Sequence, residues 1–306
     1  MSAVRILASI ALTALGGIVS DVEAGEIIRR ESAPREIGQD NRPSRLEDGT
    51  LLRWWSAPEV SGGPDLNEPI TTDRPDFTEA SVTVGRNVLQ IESGYTFGQD
   101  DEDGVRTRSH SVGEVLVRYG IAADWLELRL GVAPISASLQ EAGGDRSASG
   151  VEDLYIGSKV ALTPQAGWLP ETAVIPQMTL PTGSDEFTNG EALPGVNMLY
   201  GWDVNDFLST AGSTQVNRAM DNGQDYAEWA QSWTVGYGLT DRVGAYTEWF
   251  AFLPHGANEA QPEHYFNAGL TVLLTDDVQW DVRSGAGLND AAEDFFCGTG
   301  LSVRFR

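Results

Sequence analysis

Hydrolytic, redox or metal chemistry would have to start here from few side chains, since the 306 residues include three histidines and one cysteine. His110 and Ser111 offer a base next to a nucleophile, as an outer-membrane hydrolase would need. Adjacent residues on a strand point to opposite faces, however, so the two cannot meet on one wall. His255 and His264 flank a loop that also carries Glu259 and Glu263, a weak metal-binding arrangement that solvated loop side chains explain more simply. Cys297 stands alone, so neither a disulfide nor a thiolate cluster organises the fold. The sequence has no Gly-rich phosphate loop and no nucleophile elbow. The expectation is a protein without a cofactor, without a bound metal and without catalysis.

What the chain does carry is charge at regular positions. Glu92, Glu114, Arg118, Glu127, Arg129, Asp153, Lys159, Glu228, Glu248, Asp281, Arg283 and Arg304 fall on the polar side of alternating segments. In a closed barrel all twelve would project into the lumen, where acids and bases could pair across neighbouring strands. Glu114 and Arg118 are expected to face Glu127 and Arg129, and Asp281 and Arg283 to face Arg304. Such residues either satisfy one another and fill a closed interior or line a water-filled or gated path. Asp73, Arg74 and Asp76 stand just before the first alternating segment, at a proline that blocks helix and ladder pairing. They are candidates for a latch folded back into the lumen, the alternative being an exposed periplasmic lead-in.

The elements that must position these charges are strands. From about residue 87, segments of ten to fourteen residues alternate with period two. In the last one Phe295, Cys297, Thr299, Leu301, Val303 and Phe305 share one face, and Phe296, Gly298, Gly300, Ser302 and Arg304 the other. Twelve such segments begin near residues 87, 107, 124, 151, 171, 196, 207, 226, 242, 264, 277 and 295. The connections alternate between short turns and longer stretches at about 98–106, 135–150, 181–195, 217–225, 254–263 and 287–294. An up-and-down barrel in an outer membrane sorts its connections in this way, with tight periplasmic turns and longer external loops. The predicted fold is therefore all-β: a closed antiparallel up-and-down transmembrane β-barrel of about twelve strands, preceded by a flexible leader.

Composition agrees. With 45 Asp and Glu against 20 Lys and Arg the formal charge is -25, which repels phosphate backbones and excludes nucleic acid as a partner. After the first two dozen residues no apolar run is long enough for a transmembrane helix, whereas barrel strands keep a low average hydropathy. The acidic run Asp100 to Asp103 falls in the first long connection and gives the external rim its densest charge. At the N-terminus, Arg5 followed by an apolar stretch and Val22-Glu23-Ala24 reads as a secretory signal over residues 1–24. Residues 25–86 read as a flexible leader, because mixed charge and repeated prolines cannot bury enough surface to order it, and residues 87–306 as the barrel.

The segment Ile70-Thr71-Thr72-Asp73-Arg74-Pro75-Asp76-Phe77-Thr78, the strand with Gly94-Tyr95 and the later Glu152-Asp153-Leu154 before Gly157 and Lys159 resemble a family of bacterial outer-membrane transporters assigned to the MetA pathway of phenol degradation. The resemblance runs from about residue 70 to the C-terminus. It implies a barrel in the bacterial outer membrane that passes small solutes, hydrophobic or aromatic ones among them, by diffusion. Its partners would be outer-membrane lipid, those solutes and the barrel assembly machinery. One departure is Arg306, which follows the terminal aromatic Phe305. The alternatives are a secreted or surface β-protein with a structural or adhesive role and, less favoured, an outer-membrane hydrolase.

Overall fold

The computed structural model describes residues 63–306 except 103, 141–143 and 222; the expected signal peptide and the leader as far as residue 62 lie outside the described residues. Every regular element among the described residues is a strand: β1 (Leu89–Glu102), β2 (Val105–Val112), β3 (Val115–Gly120), β4 (Leu126–Val132), β5 (Pro134–Gln140), β6 (Arg146–Val151), β7 (Leu154–Thr163), β8 (Glu171–Leu180), β9 (Leu193–Asp203), β10 (Leu208–Asp221), β11 (Gln224–Gly238), β12 (Val243–His255), β13 (Glu263–Thr275), β14 (Val278–Gly287) and β15 (Phe295–Phe305). The pairs β2 and β3, β4 and β5, and β6 and β7 are halves of single wall strands, which brings the wall to twelve. All pairings are antiparallel, and the ladder from Leu89 opposite Phe305 to Gln99 opposite Phe295 closes β1 onto β15. Closure removes the open edges that a sheet of this size would otherwise present to other chains.

Period-two alternation places the side chains. On β4, Leu128 and Leu130 are 44% and 50% exposed, while the alternating Glu127 and Arg129 are buried. Trp229, Trp233, Phe266, Leu270 and Trp280 continue the exposed apolar belt around the wall. An apolar outer surface over a charged interior is the arrangement of a barrel that faces lipid. Leu128→Arg within the bilayer should therefore cost about 2–4 kcal/mol in unfolding measured in lipid, and an equal cost for Gln99→Arg, outward at the rim, would overturn the placement of Leu128 at membrane depth.

Three wall strands are interrupted. Between β2 and β3, Gly113 and Glu114 take left-handed backbone at φ 92° and 25°, and between β6 and β7 the break falls at Glu152 and Asp153. Bulges of this kind re-aim a side chain and end pairing locally. Beyond its break β6 pairs with β5 alone, and its other edge meets the loop 181–192, where Ser184 N donates to Val151 O at 2.8 Å and Val151 N to Ser184 Oγ at 3.0 Å. Phe187 from that loop packs on Ile135 and Ala137.

The expected long connections at 98–106, 135–150 and 217–225 are instead mostly strand. β1 runs to Glu102, β5 and β6 extend as a hairpin, and β10 and β11 continue to Asp221 and from Gln224. A ladder needs only backbone groups, so it continues above the apolar belt, where the side chains carry no hydropathy signal.

Candidate functional site

Residues 63–86 contain no strand, yet they are not the flexible segment that their mixed charge suggests. They form a strap across the lumen, because the wall supplies a partner for its charges and for much of its backbone. Glu92 on β1 accepts the N–H groups of Asp73 and Arg74, each at 3.0 Å. Glu248 on β12 accepts those of Phe77 and Thr78 at 2.8 and 2.7 Å, together with the Thr78 hydroxyl at 2.7 Å. Glu127 accepts Val84 N at 2.9 Å. In the other direction Lys159 Nζ donates to Ala80 O, Arg118 to Val82 O and Gln90 to Thr71 O. Backbone that belongs to no ladder must find such partners when buried.

The side chains interlock as tightly. Asp73 receives Lys159 Nζ at 2.8 Å, Arg129 Nη1, and Arg118 Nε at 3.3 Å, so one buried carboxylate answers cations from three wall strands. Arg74 spans the lumen from Glu114 Oε2 at 2.9 Å to Asp281 at 3.3 Å. Asp76 faces Thr234 and Glu248. Arg118 bridges Glu92 and Glu127, both at 2.8 Å, and Arg129 also holds Glu79 of the strap.

The sequence-predicted pairs form only in part. Arg118 does meet Glu127, but Glu114 and Asp281 take Arg74 of the strap as their partner. Arg283 donates to Pro75 O at 2.8 Å and to Thr96 at 3.1 Å. Arg304 stands at the short-turn rim on Asp277 at 2.7 Å and on Glu68 O at 2.8 Å, away from Asp281. Asp153 caps the loop 181–192 through Gly183 N and Asn189 N, both at 3.0 Å. Glu228 accepts Tyr226 Oη at 3.1 Å near the external rim.

Sequence reasoning missed the space Arg74 occupies. A Cβ at Gly94 or Gly300 would overlap its guanidinium, so two inward glycines on β1 and β15 clear its path. The small residues on the inner face of the last segment were the visible sign. Also missed was an aromatic cluster inside the external half, made by Phe250, Phe252, Tyr265 and Phe296 with Phe77 of the strap. The hydrolase pair stays apart: Ser111 is buried toward the interior, and His110 on the outer face accepts or donates at Tyr95 Oη at 2.7 Å. His264 stacks on Trp249, 5.9 Å between centroids.

Glu293, in the loop between β14 and β15, donates its N–H to Tyr265 Oη at 3.1 Å beside the aromatic cluster. Burial first, then the nearby Asp100 and Glu263, push its carboxyl up to about 8. A carboxyl raised in the folded state favours that state when protonated, so the stabilisation is complete below the ordinary carboxylate range and is lost as pH rises through 8. Measured against the intrinsic exchange rate, protection of the amides in residues 288–294 is expected to fall as pH rises from 5 to 8, and Glu293→Gln to flatten that fall; an unchanged fall would show that another group titrates.

A family model described as "Putative MetA-pathway of phenol degradation" matches residues 72–305. The chain belongs to that family. The matched span begins at Thr72, so the family's pattern takes in the Asp73–Thr78 part of the strap together with the wall. Among solved structures the chain is similar to the COG4313 outer membrane channel from Pseudomonas putida F1, with 14% identity, a TM-score of 0.57, and coverage of 76% of this chain and 99% of that one. Weaker likenesses are the NanC porin, at 13% identity, 71% and 99% coverage and a TM-score of 0.41, and the KdgM porin in complex with disordered oligogalacturonate, at 10%, 71% and 99%, and 0.43. No curated protein matches the chain in sequence. Family and wall architecture together give an outer-membrane β-barrel of bacterial type.

Proposed function

We propose that this protein is a gated channel through which small solutes, hydrophobic or aromatic ones among them, diffuse across the outer membrane, and that the strap of residues 63–86 is its gate. One observation carries the reading. The wall closes through the β1–β15 ladder without using any strap residue, whereas wall side chains, chiefly Glu92 and Glu248, hold much of the strap's backbone. The strap can therefore leave while the barrel stays closed. Membership of the family, and likeness in fold to a protein described as an outer membrane channel, support it. The back-to-back placement of His110 and Ser111 favours passage without covalent chemistry over hydrolysis.

Solute flux into proteoliposomes tests the reading. Asp100, Asp101 and Glu102 stand near the top of β1, so the mouth should favour neutral and cationic solutes over anions of equal size. Screening acts over about 8 Å at physiological ionic strength, so the preference should shrink as salt rises and when these three residues are neutralised. If vesicles with folded protein are no leakier than empty ones to any small solute, the barrel is a structural one.

A further inference from the structure

The inner aromatic cluster is built unevenly. Phe250 and Phe252 on β12, Tyr265 on β13 and Phe296 on β15 are fixed in wall ladders and almost wholly buried. Phe77 is the exception: it comes from the strap and is only partly buried. Its ring lies flat on Phe250, 4.8 Å between centroids and 9° between planes, and meets Phe252 edge-on at 5.4 Å and 89°. Behind Phe250, Tyr265 stacks in turn at 4.8 Å and 15°. The wall thus presents one flat aromatic face and one perpendicular edge, a corner that accepts a single ring in both preferred aromatic geometries at once.

Resting on the channel reading, we infer that this corner is a binding slot for an uncharged aromatic ring carried by a solute, and that Phe77 is its built-in occupant, displaced when such a ring enters. The walls specify the ring. A saturated ring of equal size fills the volume but lacks the quadrupole that the flat face and the edge both address. An anionic ring meets the carboxylate of Glu263, which accepts the Tyr265 hydroxyl at 2.7 Å on the external side of the slot. A ring cation gains little from Glu248 below, whose carboxylate is already taken by Phe77 N, Thr78 and Asn267.

Displacement also acts on the gate. The N–H groups of Phe77 and Thr78 are the ones that Glu248 holds, so moving the ring strains that anchor and loosens the middle of the strap. Because Phe77 is tethered, it competes at a high effective concentration and keeps apparent affinity for the solute low. A channel needs such weakness, since what enters must leave again.

The test uses the full chain in detergent micelles, with binding of 4-fluorophenol followed by fluorine NMR against protein-free micelles, and cyclohexanol and benzoate as comparators. Phe77→Ala should bind 4-fluorophenol at least tenfold more tightly than the native protein, with little gain for cyclohexanol or benzoate. Phe77→Leu keeps apolar packing without the ring and should gain several-fold, which guards against a folding defect in the alanine variant. In planar bilayers 4-fluorophenol should raise the conductance of the native protein but not that of Phe77→Ala, which is already high. Equal binding by native and variant proteins, or cyclohexanol gaining as much as 4-fluorophenol, overturns the slot. Conduction without a ring-specific gain removes the slot and leaves the channel; a ring-specific gain without any flux removes the channel and leaves the slot.

Discussion

Asp73→Ala is expected to unseat the strap and raise single-channel conductance several-fold, with the barrel still intact. Lys159, Arg129 and Arg118, each at most 1% exposed, converge on this one carboxylate, and Ala80 N donates to its second oxygen at 3.0 Å. Removing one partner from a buried ion pair typically costs about 3–5 kcal/mol, because it leaves charge without compensation in a poorly polarisable place. Unfolding the wall would break twelve ladders to relieve that cost, whereas releasing the strap breaks none and admits water to the cations. The strap should therefore become sensitive to protease while the protein still migrates as a folded barrel before boiling. Asp73→Asn, which keeps an acceptor but not the charge, should fall between. Unchanged conductance in Asp73→Ala would show that the strap is held without this charge cluster.

Deleting residues 25–78 should have the larger effect, opening the part of the lumen that Asp73–Thr78 cross and fixing its selectivity, while Glu79–Val84 keep their partners on Arg129, Lys159, Arg118 and Glu127. Without Arg74, the carboxylates of Glu114 and Asp281 lose their cation, and without the backbone of Asp73, Arg74, Phe77 and Thr78, Glu92 and Glu248 lose strap donors. Water replaces these donors, which is why the wall should remain folded. The inner face then carries Glu79, Glu92, Glu114, Glu127, Glu248 and Asp281 against Arg118, Arg129, Lys159 and Arg283, so the open pore should conduct cations in preference and lose that preference at high salt. Conductance equal to that of the native protein would mean that the strap never limited passage, and the gate would have to be sought in the loops.

Much of the wall was legible from residues alone. The period of two sorted Leu128 from Arg129 and Val303 from Ser302 correctly, because a strand with lipid on one side and charge on the other leaves no choice of register. Strand ends were less legible: above the apolar belt, segments such as Arg106–His110 and Arg146–Gly150 continue the ladders while their side chains show no apolar alternation. The inner pairings were harder still. Spacing along strands suggests wall-to-wall bridges such as Glu114 with Arg129, but a segment that crosses the lumen offers closer partners, and no periodicity announces which wall residue a strap carboxylate will meet. The inward aromatics escaped for a related reason. Phe250 and Phe296 occupy positions that alternation assigns to the interior, where a polar side chain is the usual occupant of an aqueous pore.

The strap joins residues far apart along the polypeptide: Phe77 to Glu248, Arg74 to Asp281, and Glu68 to Arg304, separated by 171, 207 and 236 positions. Synthesis and export deliver the N-terminal end first, and its final partners on β12, β14 and β15 arrive last. The strap can meet Glu92, Arg118 and Arg129 early, but its partners on β12, β14 and β15 must wait until the closing strands are in place. The β1–β15 ladder spans a like separation, so the strap can seat fully only as or after that ladder forms, and on the gated reading the barrel would pass through an open stage before the strap seals it. Time-resolved refolding into vesicles should show this order as a transient leak that appears with ladder closure and then decays.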